Sequence, residues 1–167
     1  MILLLTTALS TDMAATPLNP YQVKAVFLFN FSKFVTWPES SLRQPEFTIC
    51  VLGKDPFGIY LDLTLEGVQV NQQPIHAQRI QSLDQPSNCL ILFISTSEQG
   101  RLSEILVKTR DQAILTVSDI PDFARLGGNI ELYSNRQKTG MIINQTSIER
   151  AGLSIRANLL QLADIVR

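Results

Sequence analysis

An α/β fold is predicted by this sequence: a mostly parallel sheet with an antiparallel hairpin, flanked by helices in a three-layer sandwich. Three observations carry the prediction. Phe47–Leu52 and Cys89–Ile94 are nearly unbroken apolar runs, the pattern of strands buried on both faces. Each ends at a turn and leads into a helical pattern, the strand–turn–helix unit that builds parallel sheets. Late in the chain, residues 129–134 and 138–144 flank the turn Asn135-Arg136-Gln137, a hairpin pattern that adds antiparallel strands.

Composition narrows the class. The chain has 167 residues, room for one domain with a substantial core, and an apolar fraction of 45%, ordinary for a globular protein. A formal net charge of −1 with scattered basic residues supplies no field to gather nucleic acid or anionic lipid. Residues 1–10, opening Met1-Ile2-Leu3-Leu4-Leu5, are apolar but too short to span a bilayer. They fit the apolar part of a secretory leader with Ala8-x-Ser10 as its cleavage site, and the missing basic start implies a leader truncated at its beginning. Residues 11–18 read as a polar linker and 19–167 as the single domain.

Within the domain, Asn19-Pro20 pairs an N-cap with proline at the first helical position and opens a helix over residues 21–35. Val23, Phe27, Phe31 and Phe34 share a stripe that Val26, Leu28 and Phe29 widen beyond an ordinary amphipathic face. So much apolar area means either deep burial or a surface that meets a partner. Lys24 and Lys33 are expected to reach water, and Pro38 ends the element at Trp37. Residues 39–46 form a polar loop into the first buried strand. In Gly53-Lys54-Asp55-Pro56, Asp55 can cap and Pro56 can start a helix with Phe57, Tyr60, Leu61 and Leu65 inward, stopping near Gly67. Residues 71–74 read as a turn, 75–80 as a short, more exposed strand, and 81–88 as polar connector.

After the second buried strand, Ser95-x-x-Glu98 is a capping-box pattern. Its helix runs to about residue 110 and presents Leu102, Ile105 and Leu106. Residues 114–117 form the next strand, 121–126 one or two helical turns, and Gly127-Gly128 a sharp reversal. Beyond the hairpin, residues 145–151 are helical with Gly152 as stop. Ser154 then caps a last helix carrying Ile155, Leu159, Leu162 and Val166.

Few residues offer chemistry. The two cysteines, Cys50 and Cys89, both sit in the buried runs. In an exported chain they can form a disulfide, and they can equally be two separate buried thiols; position alone leaves both readings open. His76 is the only histidine, so neither a zinc site nor a Cys–His nucleophile pair assembles. Gly53-Lys54-Asp55 lacks the further glycines and Lys-Ser/Thr ending of a nucleotide cradle. Together with Ser118-Asp119 after a later strand, it still marks a candidate crevice for a nucleotide or amino acid. No catalytic set, metal site or cofactor is expected. The exposed part of the first helix, with Phe31, Lys33, Phe34, Trp37 and Pro38, is the candidate partner surface.

Taken in order, several segments resemble the YfiR/HmsC-like family. They are Phe31-Ser32-Lys33-Phe34-Val35-Thr36-Trp37-Pro38, Ile49-Cys50-Val51-Leu52-Gly53-Lys54-Asp55-Pro56-Phe57-Gly58, Cys89-Leu90-Ile91-Leu92-Phe93-Ile94-Ser95, Leu115-Thr116-Val117-Ser118-Asp119, Gly127-Gly128, Asn144, Ala151-Gly152-Leu153-Ser154 and Leu159-Leu160-Gln161-Leu162-Ala163. The resemblance implies a periplasmic, non-enzymatic regulator with an α/β fold. It implies as partners an inner-membrane diguanylate cyclase, held inactive to limit cyclic-di-GMP signalling and biofilm formation, and an OmpA-like outer-membrane lipoprotein. A homodimer is a further expectation. The resemblance also implies a Cys50–Cys89 disulfide. Some relatives carry a second cysteine pair near the Gly127-Gly128 segment, which this chain lacks.

Overall fold

The computed structural model describes residues 19–85, 88–135 and 138–167. The leader-like segment, the linker and the hairpin-turn residues Arg136 and Gln137 lie outside the described residues. An eight-stranded sheet lies between helical layers, confirming the mostly parallel α/β sandwich.

Helix α1 (Pro20–Phe34) starts as the sequence dictates. Asn19 caps it in a reciprocal box with Gln22, and Pro20 sits in its first turn. Strand β1 (Val35–Thr36) pairs antiparallel with β9 (Ser154–Ile155), a two-residue ladder that the sequence does not announce. β2 (Phe47–Leu52) is buried at all six positions. Helix α2 (Ile59–Leu65) begins later than Pro56. Asp55 instead caps the N–H of Phe57, and Gly58, at φ 55°, turns the chain before helical geometry begins. β3 (Gln69–Val70) and β4 (Gln73–Ile80) form a tight hairpin through Asn71 and Gln72, both at positive φ as a primed turn requires. The strand expected over 75–80 is therefore longer than the sequence suggests.

β5 (Cys89–Ile94) is again buried throughout. Ser95 caps the turn after it, a 3-10 stretch over Thr96–Arg101 that leads into α3 (Leu102–Thr109). Beyond β6 (Leu115–Ser118), residues 121–127 are turns rather than helix, since Asp122 takes a left-handed φ of 62° that breaks helical geometry. β7 (Ile130–Ser134) and β8 (Thr139–Asn144) form the expected hairpin, followed by α4 (Gln145–Arg150), capped by Asn144. The predicted last helix is corrected. It divides into β9, the short α5 (Ala157–Leu160) and β10 (Asp164–Val166), which joins β8 in parallel. Leu162 is 75% exposed and only Leu159 of that apolar series is buried, so no continuous face existed to hold one helix together.

The sheet order is β10-β8-β7-β6-β5-β2-β4-β3. From β2 the chain moves to β4 on one side, then returns to β5 on the other, the doubly wound arrangement with a switch point between β2 and β5. Alternation sorts the two faces. Phe47, Ile49, Val51, Ile91 and Phe93 pack with Phe31 of α1, Leu61 of α2 and Phe57 of the turn before α2. Cys50, Leu52, Leu92 and Ile94 pack against Leu102, Ile105 and Leu106 of α3 and against Phe123.

Candidate functional site

The cysteines meet because the register breaks between their strands. Thr48 lies opposite Cys89 but Ile49 lies opposite Ile91, so Leu90 is the extra residue of a bulge. The bulge sends Leu90 to the α1 side and leaves Cys89 on the α3 side with Cys50. Cys50 and Cys89 form a disulfide, their Cα atoms 5.6 Å apart. The indole Nε1 of Trp37 donates to the carbonyl of Leu90 at 3.2 Å, so the end of α1 satisfies a polar group at the bulge. The staple and the Trp37-Pro38 corner thus share one strand.

At the carboxyl ends of the strands, where open α/β sheets place ligands, Asp55 and Ser118 pair internally, whereas the buried Oδ1 of Asp119 has no hydrogen-bond partner among the described residues. Gly53, at φ +87°, lies so close to the turn after β5 that a Cβ there would sit 2.5 Å from Ser97 Oγ and 2.6 Å from Glu98 Oε1. The Lys54 N–H donates to Ser97 Oγ. Asp55 accepts from the Phe57 N–H and from Arg79 Nε, while the same guanidinium forks onto Asp62 and reaches the Gly58 carbonyl. The fork onto Asp62 holds Arg79 above its ordinary pKa. Ser118 Oγ donates to the Ile94 carbonyl and accepts from the Ile120 N–H. Strand β5 separates the Gly53-Lys54-Asp55 turn from Ser118-Asp119, and the grooves lined by residues 59–77 and by residues 99–126 include none of these five residues.

Asp119 has a partner that the sequence reading did not assign. Lys24 was expected in water, yet it is 5% exposed, and its Nζ donates to Asp119 Oδ2 at 2.6 Å. The hydroxyl of Tyr21 donates to the same oxygen at 2.8 Å, and Lys24 Nζ lies 4.4 Å from the Tyr21 ring centroid. Three groups therefore tie the start of α1 to the end of β6. The available signal was a lysine one position after Val23, inside an aromatic helix stripe. Tyr21 is pushed up to about 12, first by burial and then by its hydrogen bond to Asp119. Its neutral form is the one the fold holds. Its contribution to stability is thus complete below the ordinary value of 10.0 and is lost as pH rises towards about 12. Stability measured across that window should fall more steeply in the wild type than in Tyr21→Phe, narrowing the gap between them; a constant gap would count against the assignment.

A second buried network holds the late hairpin. Asn129 Oδ1 accepts from the N–H and hydroxyl of Thr116, and its Nδ2 donates to Ser147 Oγ. Asn144 caps α4 through the Ser147 N–H and donates to the Ala124 carbonyl. Glu131, 7% exposed, accepts from the N–H groups of Asp122 and Ala124. These bonds fix β6, β7, β8 and the turns before them into one body.

The candidate partner surface needs correction. Phe31 is 0% exposed and Trp37 5% exposed: both are core residues, Phe31 with its ring tilted against Phe27 and Trp37 edge-to-face with Phe47. Lys33 is exposed, and Phe34 and Pro38 are half-buried. What α1 turns outward is Val26, 47% exposed, with half-buried Phe29 and Lys33, whose ammonium lies 4.1 Å from the Phe29 ring centroid.

Fold and site together define a disulfide-stapled, doubly wound α/β domain whose strand ends are tied by internal hydrogen bonds and ion pairs. The chain belongs to the DUF4154 (YfiR/HmsC-like) family, whose model matches residues 21–164. No curated protein matches it at a significant level. Family membership is consistent with a periplasmic regulator of cyclic-di-GMP signalling. Among the described residues no helix is long and apolar enough to cross a membrane.

Proposed function

We propose that this chain is a periplasmic, non-enzymatic regulator that restrains an inner-membrane diguanylate cyclase by direct protein contact, limiting cyclic-di-GMP signalling and biofilm formation. The family supports the signalling context. The observation that carries the contact reading is the outward stripe of α1. It presents Val26, Phe29 and Lys33, with Phe34 and Pro38 beside its end, on a helix whose opposite side is fixed by Phe31, by Lys24 and, just beyond it, by Trp37. Outward aromatic and aliphatic groups on a rigid helix suit an interface core, with Lys33 as a charge at its rim. Rigidity adds affinity, because little ordering entropy is lost on docking. An OmpA-like outer-membrane lipoprotein that displaced the cyclase from this stripe would release it. The disulfide supports an oxidising compartment such as the periplasm. A small-ligand role at the strand ends has less support, since Asp55 and Ser118 already pair with neighbouring residues and Asp119 holds Lys24 and Tyr21 through Oδ2.

Capture from the membranes of its own cell tests the reading. Tagged wild type should retain a cyclase identified by its mass spectrum, and Val26→Glu with Lys33→Glu should lose it while melting as the wild type does. Equal capture by both proteins would sink the assignment of this stripe.

A further inference from the structure

β3 covers only the first part of β4. It pairs at Gln73 and Pro74, and the Ile75 N–H donates to the Val68 carbonyl just before it. Further on, the Ile80 carbonyl accepts from Gly53 on the β2 side. Main-chain groups alternate sides along a strand, so Ala77 and Arg79 aim theirs away from β2, beyond the reach of β3. Edges of this kind are usually guarded by a charged side chain or proline. Here Pro74 lies under β3, and the Arg79 guanidinium is held over α2 by Asp55 and Asp62.

Helix α2 overhangs this edge with two apolar side chains one turn apart, Ile59 and Leu63, 67% and 59% exposed. With Ile75 and Ala77 they line an open groove of about 590 Å³. Every second side chain of an added strand would point to this face and enter the groove. The charge beside it has one sign. Asp62 and Glu66 line the groove, and no lysine or arginine does. Asp62 shares Arg79 with Asp55, whereas Glu66 is exposed and makes no ion pair among the described residues. A further carboxylate, Glu46, stands at the edge 3.4 Å from His76.

We propose that this edge takes an extended segment of a protein partner as a further strand, a segment apolar at alternate residues and carrying lysine or arginine beside them. Strand addition needs main-chain pairing for affinity and side-chain pockets for specificity. Ala77 and Arg79 supply the first, and Ile59, Leu63 and Ala77 the second. Glu66 and Glu46 set the sign of the charge. An acidic segment would meet like charge along the groove, and a helix would leave the main-chain groups of Ala77 and Arg79 unpaired. The edge is separate from the outer stripe of α1, so the proposal is independent of the cyclase reading.

The probe is a synthetic peptide, Lys-Val-Thr-Val-Thr-Val-Lys with blocked ends, whose pattern reads the same in both directions and so suits an added strand of either polarity. Amide exchange of the oxidised protein, followed residue by residue by NMR, is the measurement. Without peptide, Ala77 and Arg79 should exchange fast, and Gln78, whose N–H faces β2, slowly. At about ten times its dissociation constant the peptide should slow Ala77 and Arg79 about tenfold. That slowing should vanish in Ile59→Gln with Leu63→Gln, which should melt as the wild type does because both side chains are exposed. It should vanish equally when the peptide ends in glutamate instead of lysine. No slowing at about 1 mM peptide, enough to fill a submillimolar site, overturns the proposal. So does equal slowing by the glutamate peptide, or slowing that survives both glutamines. Protection of Ala77 and Arg79 without peptide that grows with protein concentration would overturn it too, by giving the edge to a second copy.

Discussion

Asp119→Ala is expected to lose about 3–5 kcal/mol of folding stability, because it leaves a buried cation without its counter-charge. The Lys24 and Asp119 side chains are 7% and 8% exposed and 2.6 Å apart, so water cannot take the carboxylate's place without opening the fold. The same change orphans the Tyr21 hydroxyl. A typical domain holds only about 5–15 kcal/mol in total, so the variant should be near the edge of folding at growth temperature. The cause is separable from a generic cavity. Replacing both partners with apolar residues of similar size, Lys24→Met with Asp119→Leu, should recover most of the loss, since a buried pair often costs as much to desolvate as it returns. Chemical denaturation of both variants decides it. A double variant no better than Asp119→Ala would mean that the ion pair is not what matters there.

Loss of the disulfide is the second large effect. The bridge spans a sequence separation of 39, and closing a loop of that length constrains the unfolded chain by about 4 kcal/mol. For a domain of this size that corresponds to a melting temperature lower by about 10 °C. Cys50→Ser with Cys89→Ser, or reduction of the wild type, should show it by calorimetry. Trp37 is the only tryptophan and bonds to the bulge carbonyl of Leu90. Its fluorescence therefore reports whether the bulge persists once the sulfurs part. Melting that is indifferent to reduction would show that packing alone fixes the β2–β5 register.

Much of the fold was legible because its centre is made of strong local signals. Phe47–Leu52 and Cys89–Ile94 are apolar runs with no alternation, and the structure buries both at every position. Asn19-Pro20, Ser95 and Gly152 punctuate elements where expected. What failed was set by partners distant in sequence. β1, β9 and β10 are two or three residues long and exist only because another strand lies beside them. The last helix was inferred from spacing, but spacing cannot show that Leu162 has nothing to pack against. The turn expected over residues 71–74 is present but confined to Asn71-Gln72, two non-glycine residues at positive φ, so Gln73 and Pro74 already belong to β4.

The site was less legible, for the same reason. An aromatic stripe on a helix does not say which of its residues meet the sheet. Phe31 and, just beyond the helix, Trp37 are buried in the core, whereas Val26 and Lys33 face solvent and Phe29 is only half-buried against it. Nor could residue types show that Lys24 would find Asp119, which lies 95 positions away. The cysteine pairing needed a one-residue bulge at Leu90, which no spacing rule contains.

The central claim is that a rigid scaffold acts through its outer α1 stripe on a cyclase, without chemistry of its own. It is tested most directly by the rate of cyclic-di-GMP synthesis in membranes containing that cyclase, measured as purified domain is added. The account predicts that the rate falls to a plateau with the wild type and stays unchanged with Val26→Glu and Lys33→Glu. A rate unaffected by the wild type, or equally suppressed by the variant, would contradict it.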